Sequence, residues 1–174
     1  MSNLALIGYR GSGKTTVARL LARQLGWASI DADREIESSA GSTIAALFAE
    51  RGEEYFRDLE TEVVGRLCRL PRTVVALGGG AVIRPENRRA IAEATHVVWL
   101  KAPPEVLARR IAADPSTPRS RPALTPQGGA EEIDRLLELR TPWYRACATL
   151  EVDTLHKSPE QIVAEVLAAL PLTS

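Results

Sequence analysis

Eight residues near the N-terminus constrain the fold of this chain more than any other stretch: Gly8-Tyr9-Arg10-Gly11-Ser12-Gly13-Lys14-Thr15, followed by Thr16. They satisfy G-x-x-x-x-G-K-[ST], the phosphate-binding loop. Ahead of the loop, the apolar run of residues 4–7 has the length and character of a buried parallel strand. Behind it, Val17, Leu20, Leu21 and Leu25 recur at helical spacing. Glycines at three loop positions let successive backbone N–H groups turn inward around phosphate oxygens, and the following helix adds its positive dipole end. Lys14 supplies a point charge for the outer phosphates, and the Thr15 hydroxyl is a ligand for magnesium. The loop therefore predicts nucleotide binding.

The remainder of the chain alternates strand-like and helix-like runs. Residues 28–30 read as a second strand ending on Asp31-Ala32-Asp33. Residues 36–69 read as mostly helical, broken at Gly41 and near Gly52, with Ser42 as a cap for the helix of Ile44, Leu47 and Phe48. A third strand at 73–77 runs into Gly78-Gly79-Gly80. Pro85 suits the first position of a helix reaching residue 94. A fourth strand covers 96–100, and Pro103 or Pro104 opens a helix through residue 112. Residues 114–129 hold four prolines and two glycines without periodicity, the profile of a functional or disordered loop. Helical spacing returns at 131–140, then a short strand at 150–152 and a last helix at 159–170. This alternation predicts one α/β domain over residues 1–174, in three α/β/α layers with a central five-stranded parallel sheet. Ligands should lie at the carboxyl ends of the strands, where the loop, Asp31, Asp33 and Gly78–Gly80 all fall.

Composition limits the partners. Lys plus Arg total 22 and Asp plus Glu total 22. Neither bulk charge nor an aromatic-interleaved basic patch points to nucleic acid. No apolar run approaches the ~18 residues of a membrane span, and the strand at residue 4 leaves no room for a signal peptide. Cys68 and Cys147 have no metal-ligand spacing and read as buried thiols in a reducing compartment. A cytoplasmic, monomeric protein with a small-molecule partner is expected.

Several residues have the right chemistry without decisive spacing. Asp31 and Asp33 stand at a strand end, where one acid could face magnesium and the other an acceptor, or Asp33 could cap a helix. Three successive glycines at Gly78, Gly79 and Gly80 favour close approach of a ligand to backbone. Arg57 and Arg140, on helical segments, are by themselves ordinary surface arginines. Arg119 and Arg121 are alike in this respect, although a loop arginine near a phosphate can neutralise transferring charge. His96 and His156 are read as structural. Trp27, Trp99 and Trp143 are read as packing residues, with Trp143 also placed to border a pocket beside Arg140.

Taken in order, Asp31-Ala32-Asp33, Gly52-Glu53-Glu54-Tyr55-Phe56-Arg57, Gly78-Gly79-Gly80-Ala81-Val82, Arg121-Pro122-Ala123-Leu124 and Arg140-Thr141-Pro142-Trp143-Tyr144 behind the phosphate loop resemble the shikimate kinase family. That family lies in the nucleoside-monophosphate-kinase-like branch of P-loop proteins, and the resemblance spans about residues 4 to 170. It implies a P-loop kinase fold with a mobile lid at about 114–129. It also implies ATP- and magnesium-dependent phosphorylation of the shikimate 3-hydroxyl, a step toward chorismate and the aromatic amino acids. Carried over by residue, Gly11, Ser12, Gly13, Lys14, Thr15 and Thr16 would hold the ATP phosphates. Thr15 and Asp31 would hold magnesium. Asp33 would bind the shikimate hydroxyls and either deprotonate or only orient the attacking oxygen. Arg57 and Arg140 would grip the carboxylate, and Gly78, Gly79 and Gly80 would close the substrate pocket. Arg121 would swing in with the lid, with Arg119 as the other candidate, and Arg110 would lie against adenine. Lys14, Asp33 and Arg121 would be the catalytic groups. The chain departs from the family in having Arg10 where proline is frequent, Ala123 where leucine is common, and a longer lid. A related sugar-acid kinase, such as a gluconate kinase, and a regulatory module that binds nucleotide without turnover are the two alternatives.

Overall fold

Strand β1 (Leu4–Ile7) is buried along its whole length, as a strand covered on both faces must be. It is central in a five-stranded sheet of order β2-β3-β1-β4-β5. The others are β2 (Ala28–Asp31), β3 (Thr73–Ala76), β4 (His96–Lys101) and β5 (Leu150–Asp153). All four pairings are parallel, with Leu6 opposite Ala76 on one side and Val98 on the other. The computed structural model describes residues 2–114 and 130–172.

Seven helices are found among the described residues: α1 (Lys14–Leu25), α2 (Ala32–Ala40), α3 (Ile44–Leu67), α4 (Pro85–Ile91), α5 (Pro104–Ala113), α6 (Ala130–Cys147) and α7 (Pro159–Ala169). The period-2 alternation of β1 divides the core between the two faces of the sheet. Leu4 and Leu6 pack with Val17 and Leu21 of α1 and with Ile162 and Val166 of α7. Ala5 and Ile7 point the other way, to Ile36, Phe56, Val64, Ile91 and Tyr144 on α2, α3, α4 and α6. The three-layer α/β/α architecture is therefore as the sequence predicts. From β1 the chain moves outward to β2, returns through β3, then crosses to β4 and β5. This reversal of direction opens the crevice at the carboxyl ends of β1, β3 and β4, where ligands bind in such sheets.

The helix opened by Pro85 ends at Ile91 rather than residue 94, and three further departures of helix boundaries from the sequence reading bear on the site. Thr43, not Ser42, caps α3, its hydroxyl accepting from the Ala46 N–H at 3.2 Å. Ile44 is fully buried, so the helix starts there and the cap is the residue before it. Asp31, not Asp33, caps α2: its Oδ1 accepts from the N–H groups of Asp33 (3.1 Å) and Arg34 (3.4 Å). The helix starts as soon as β2 ends, which moves Asp33 into its first turn. Helix α6 does not stop at Arg140 but continues through Pro142 to Cys147. Proline cannot bond the carbonyl of Glu138, and tertiary bonds from Arg140 and Tyr144 to Gly79 hold the helix across it. Within α3, Gly52 has φ 83° and ψ 171°, so the helical path is interrupted just ahead of Glu53.

Cys68 and Cys147 are free and buried. Burial, with the charge of Glu93 adding to it, pushes the Cys68 thiol up to about 12. Among the described residues no helix is long and apolar enough to cross a membrane.

Candidate active site

The phosphate loop leaves β1 at Gly8, whose φ is 140°. A Cβ there would stand 2.5 Å from the carbonyl oxygen of Leu100, so only glycine fits. The loop ends at Gly13, which begins α1 in the left-handed region. The first turn of α1 has no side-chain cap and no acidic residue. Its N–H groups and dipole are thereby left to an anion. Lys14 is buried and curls over the loop, its Nζ donating to the carbonyls of Gly8 (2.8 Å) and Tyr9 (2.9 Å).

Beside the loop, the Thr15 hydroxyl donates to Asp31 Oδ2 at 2.6 Å. Since Oδ1 of the same carboxylate caps α2, Asp31 is fixed at both oxygens. Asp33, one residue into α2, shares the wall of a cavity of about 670 Å³ with Asp31. That volume lies within the ~300–1,000 Å³ of small-molecule sites. Gly11, Gly13, Lys14, Thr15, Thr16, Gly78, Gly79 and Arg110 complete the predicted part of the wall. Ser12 is buried inside the loop, with its hydroxyl 3.4 Å from Lys14 Nζ. Arg110 reaches across from α5: its Nη1 donates to Thr154 Oγ1 (3.0 Å) and to the Gly11 carbonyl (3.4 Å). Asp114 closes the described edge of the cavity. Arg119, Arg121 and the rest of the expected lid lie outside the described residues.

Arg57 and Arg140 are not the surface arginines that helical spacing alone suggests; both are buried. The Arg57 guanidinium donates to Glu60 Oε2 (2.6 Å) and to Glu53 Oε1 (3.1 Å). It also lies against the α-carbon of Gly80, where an added Cβ would be 2.6 Å from Nη1. Arg140 donates from Nη1 to the Gly79 carbonyl at 3.3 Å and lies over the Tyr9 ring at 5.5 Å. The two guanidinium groups thus meet on consecutive glycines. Neither they nor Gly80 form the cavity wall itself, which ends at Gly78 and Gly79. They stand one residue behind it. Gly79 in turn packs on the phosphate loop, with a hypothetical Cβ 3.0 Å from the Arg10 nitrogen. Gly79 and Gly80 are thus closely packed on two different sides, by the phosphate loop and by Arg57.

Some residues of the site were not legible from the sequence. Arg34 and Glu37 line the cavity; Glu37 sits four positions after Asp33 and three after Arg34, the helical spacing that would have flagged it. Arg10, Arg19, Thr43 and Ile44 also line it. Glu60 and Tyr144, a helical turn beyond Arg57 and Arg140, were missed in the same way. Trp143 is not on the cavity wall and instead lies beneath Arg88, 5.1 Å from its ring centre. His96 starts β4, at the end of the sheet opposite the loop, and desolvation lowers its pKa. His156 occupies a turn with φ 57°.

A family model for shikimate kinase matches residues 10–171. The chain belongs to the shikimate kinase family. The shikimate kinase of Rhodopirellula baltica is 45% identical over 169 residues, covering 97% of this chain and 90% of that protein. That of Moorella thermoacetica is 40% identical over 168 residues, covering 97% and 94%. Among solved structures, the shikimate kinase of Acinetobacter baumannii in complex with shikimate superposes with a TM-score of 0.90 at 34% identity, over 97% of this chain and 92% of the other. A gluconokinase from Sinorhizobium meliloti reaches a TM-score of 0.55 at 19% identity, over 96% and 90%. That second likeness is one of fold alone. The shikimate kinase family, not the sugar-acid kinases, is where this sequence belongs.

Proposed function

We propose that this member of the shikimate kinase family transfers the terminal phosphoryl group of ATP to the 3-hydroxyl of shikimate, giving shikimate 3-phosphate and ADP. The supporting observation is that two buried guanidinium groups converge on Gly79 and Gly80, at the edge of the same cavity that carries the phosphate loop and Asp33. A hydroxylated ring acid needs both ends. Its carboxylate suits the planar fork of arginine, and its hydroxyl must sit near an acid and the transferred phosphorus.

In this assignment Gly11 to Thr16 and the start of α1 hold the ATP phosphates, and Lys14 uncurls from the loop carbonyls onto the outer phosphates. Arg57 and Arg140 grip the shikimate carboxylate. Asp33 takes the 3-hydroxyl, aiming its oxygen at phosphorus. As the new O–P bond forms, the bond from phosphorus to the ADP oxygen breaks, and the hydroxyl proton passes to Asp33 or to the transferred group. With a loose transition state, positioning by Asp33 contributes even where it does not take the proton. Arg110 is the candidate to lie along adenine. Arg121, preceding Pro122, is the candidate to neutralise charge on the phosphates from the lid segment.

The Thr15–Asp31 pair fits magnesium. It offers hard oxygen donors 2.6 Å apart beside the phosphate loop. Among the described residues no cluster of three or more His, Cys, Asp or Glu exists to cage a metal. Magnesium bound with nucleotide keeps few protein ligands and takes the rest from phosphate and water. When bound, it neutralises charge on the phosphates.

The test is ADP release from ATP and magnesium with shikimate, with gluconate and without acceptor, using Lys14→Ala as control. Shikimate-dependent release that vanishes in the control is expected. Release with gluconate alone would overturn the acceptor assignment, and ATP binding without release on any acceptor would overturn the kinase assignment.

A further inference from the structure

Tyr144 is the largest of the fully buried side chains. A phenol is costly to bury without a hydrogen-bond partner. The bond it makes goes to the main chain of the acceptor side, to the carbonyl of Gly79. The same oxygen accepts from Arg140 Nη1 at 3.3 Å. Arg140 and Tyr144 are four positions apart on α6, so two donors from one helix face converge on one acceptor. The Tyr144 ring is itself stacked on Trp99 of β4, with centres 5.5 Å apart and planes 24° from parallel.

We propose that Tyr144 is a positioning residue of the acceptor pocket. Its phenol holds the Gly79 carbonyl and thereby sets the Gly79–Gly80 peptide and the Arg140 guanidinium. The inference rests on the assignment of Arg140 to the shikimate carboxylate made above. A carbonyl oxygen offers two lone pairs. While the phenol occupies one, Arg140 is tied there by a single long contact and keeps its other donors for a carboxylate. Without the phenol, the Gly79 oxygen has the guanidinium as its remaining donor of this pair and draws it inward, away from the ligand. The peptide is planar and trans, so clamping its carbonyl also fixes the Gly80 N–H on the opposite edge. Gly80 carries the Arg57 guanidinium against its α-carbon, which extends the effect to the second arginine.

Tyr144→Phe removes the hydroxyl and keeps the ring on Trp99. Shikimate KM at saturating ATP should rise about 5- to 10-fold, the worth of one hydrogen bond. ATP KM should be unchanged, and the melting temperature should show a variant that remains folded. The methyl ester of shikimate has no carboxylate charge, so with it the gap between wild type and variant should narrow. An unchanged shikimate KM, an equal rise in both KM values, or the same gap with the ester would each overturn the role of Tyr144. Failure of the wild type to phosphorylate shikimate would remove the acceptor assignment and this role together. Wild-type turnover beside an indifferent variant would remove the role of Tyr144 alone.

Discussion

Gly80→Ala adds one methyl group where the structure leaves no space for it. The new Cβ would lie 2.6 Å from Arg57 Nη1, 2.8 Å from Nη2 and 3.0 Å from Cζ. Carbon needs about 3.5 Å from such atoms, so the guanidinium must retreat by roughly 1 Å. Gly80 has no positive φ, so backbone strain contributes nothing and the effect is steric. The direction of retreat follows from the ion pairs. Glu60 is buried and rigid, whereas Glu53 is more than half exposed and free to follow. Arg57 is therefore displaced toward Glu53 and solvent. On the proposed role of Arg57, this loses a charge-assisted carboxylate contact worth about 1.5–3 kcal/mol, which is roughly 10- to 150-fold in shikimate kcat/KM.

The assay is ADP release with shikimate varied at saturating ATP, alongside nucleotide binding and the melting temperature. Nucleotide binding should be unaffected, because Arg57 touches no part of the phosphate loop. Gly79→Ala makes the useful contrast. Its Cβ would meet the backbone nitrogen of Arg10 at 3.0 Å, so that variant should weaken ATP as well as shikimate. A folded Gly80→Ala protein with unchanged shikimate kcat/KM would refute the reasoning, since it would place the carboxylate away from Arg57.

Other outcomes follow from single features. Asp31→Asn keeps an oxygen for the Thr15 hydroxyl but removes the charge, so a magnesium titration at fixed ATP should shift upward by about tenfold, the difference between a charged and a neutral partner. Gly65 lies inside α3 with nothing within 4 Å of a hypothetical Cβ. Gly65→Ala should add about 0.5–1 kcal/mol of stability, or roughly 1–4 °C in Tm by scanning calorimetry. The Cys68 thiol, raised by burial from 9.0 to about 12, should resist alkylation in the folded protein near neutral pH and react on unfolding. Its raised value favours the neutral thiol in the fold, so stability should fall as pH climbs above 9.0 toward 12, and Cys68→Ala should flatten that slope.

The sheet was legible because each strand is a local apolar run and each crossover helix has its own period. All five strands fall within one or two residues of where those runs place them. The phosphate loop was legible for the same reason, since all its chemistry lies within nine residues. The acceptor side was not. Arg57, Gly80, Arg140 and Tyr144 come from different segments, and only packing of α3 and α6 over the sheet turns them toward one another. Sequence spacing gives the pitch of a helix but not which face turns inward, so both arginines read as solvated until their burial is known. The caps failed on a finer scale. Ser42 and Thr43 are chemically interchangeable, and burial of Ile44 chooses between them.

The break at Gly52 has a consequence for how the acceptor side can change. At 3.6 residues per turn, an unbroken helix would put Ile44 and Leu47 on roughly the opposite face from Phe56, Arg57, Glu60 and Val63. All six are nevertheless buried. The glycine resets the angular phase, so the stretch before it and the stretch after it both turn their apolar faces to the same core, where Phe48 meets Phe56 with ring centres 4.8 Å apart. A residue inserted or deleted among positions 44–51 would rotate that leading stretch and lose the Phe48–Phe56 contact, while the Glu60 ion pair on the trailing stretch still holds Arg57 at Gly80. The leading stretch, which supplies Ile44 to the cavity wall, is therefore the place to recut for a differently shaped ring while the proposed carboxylate grip of Arg57 stays in register.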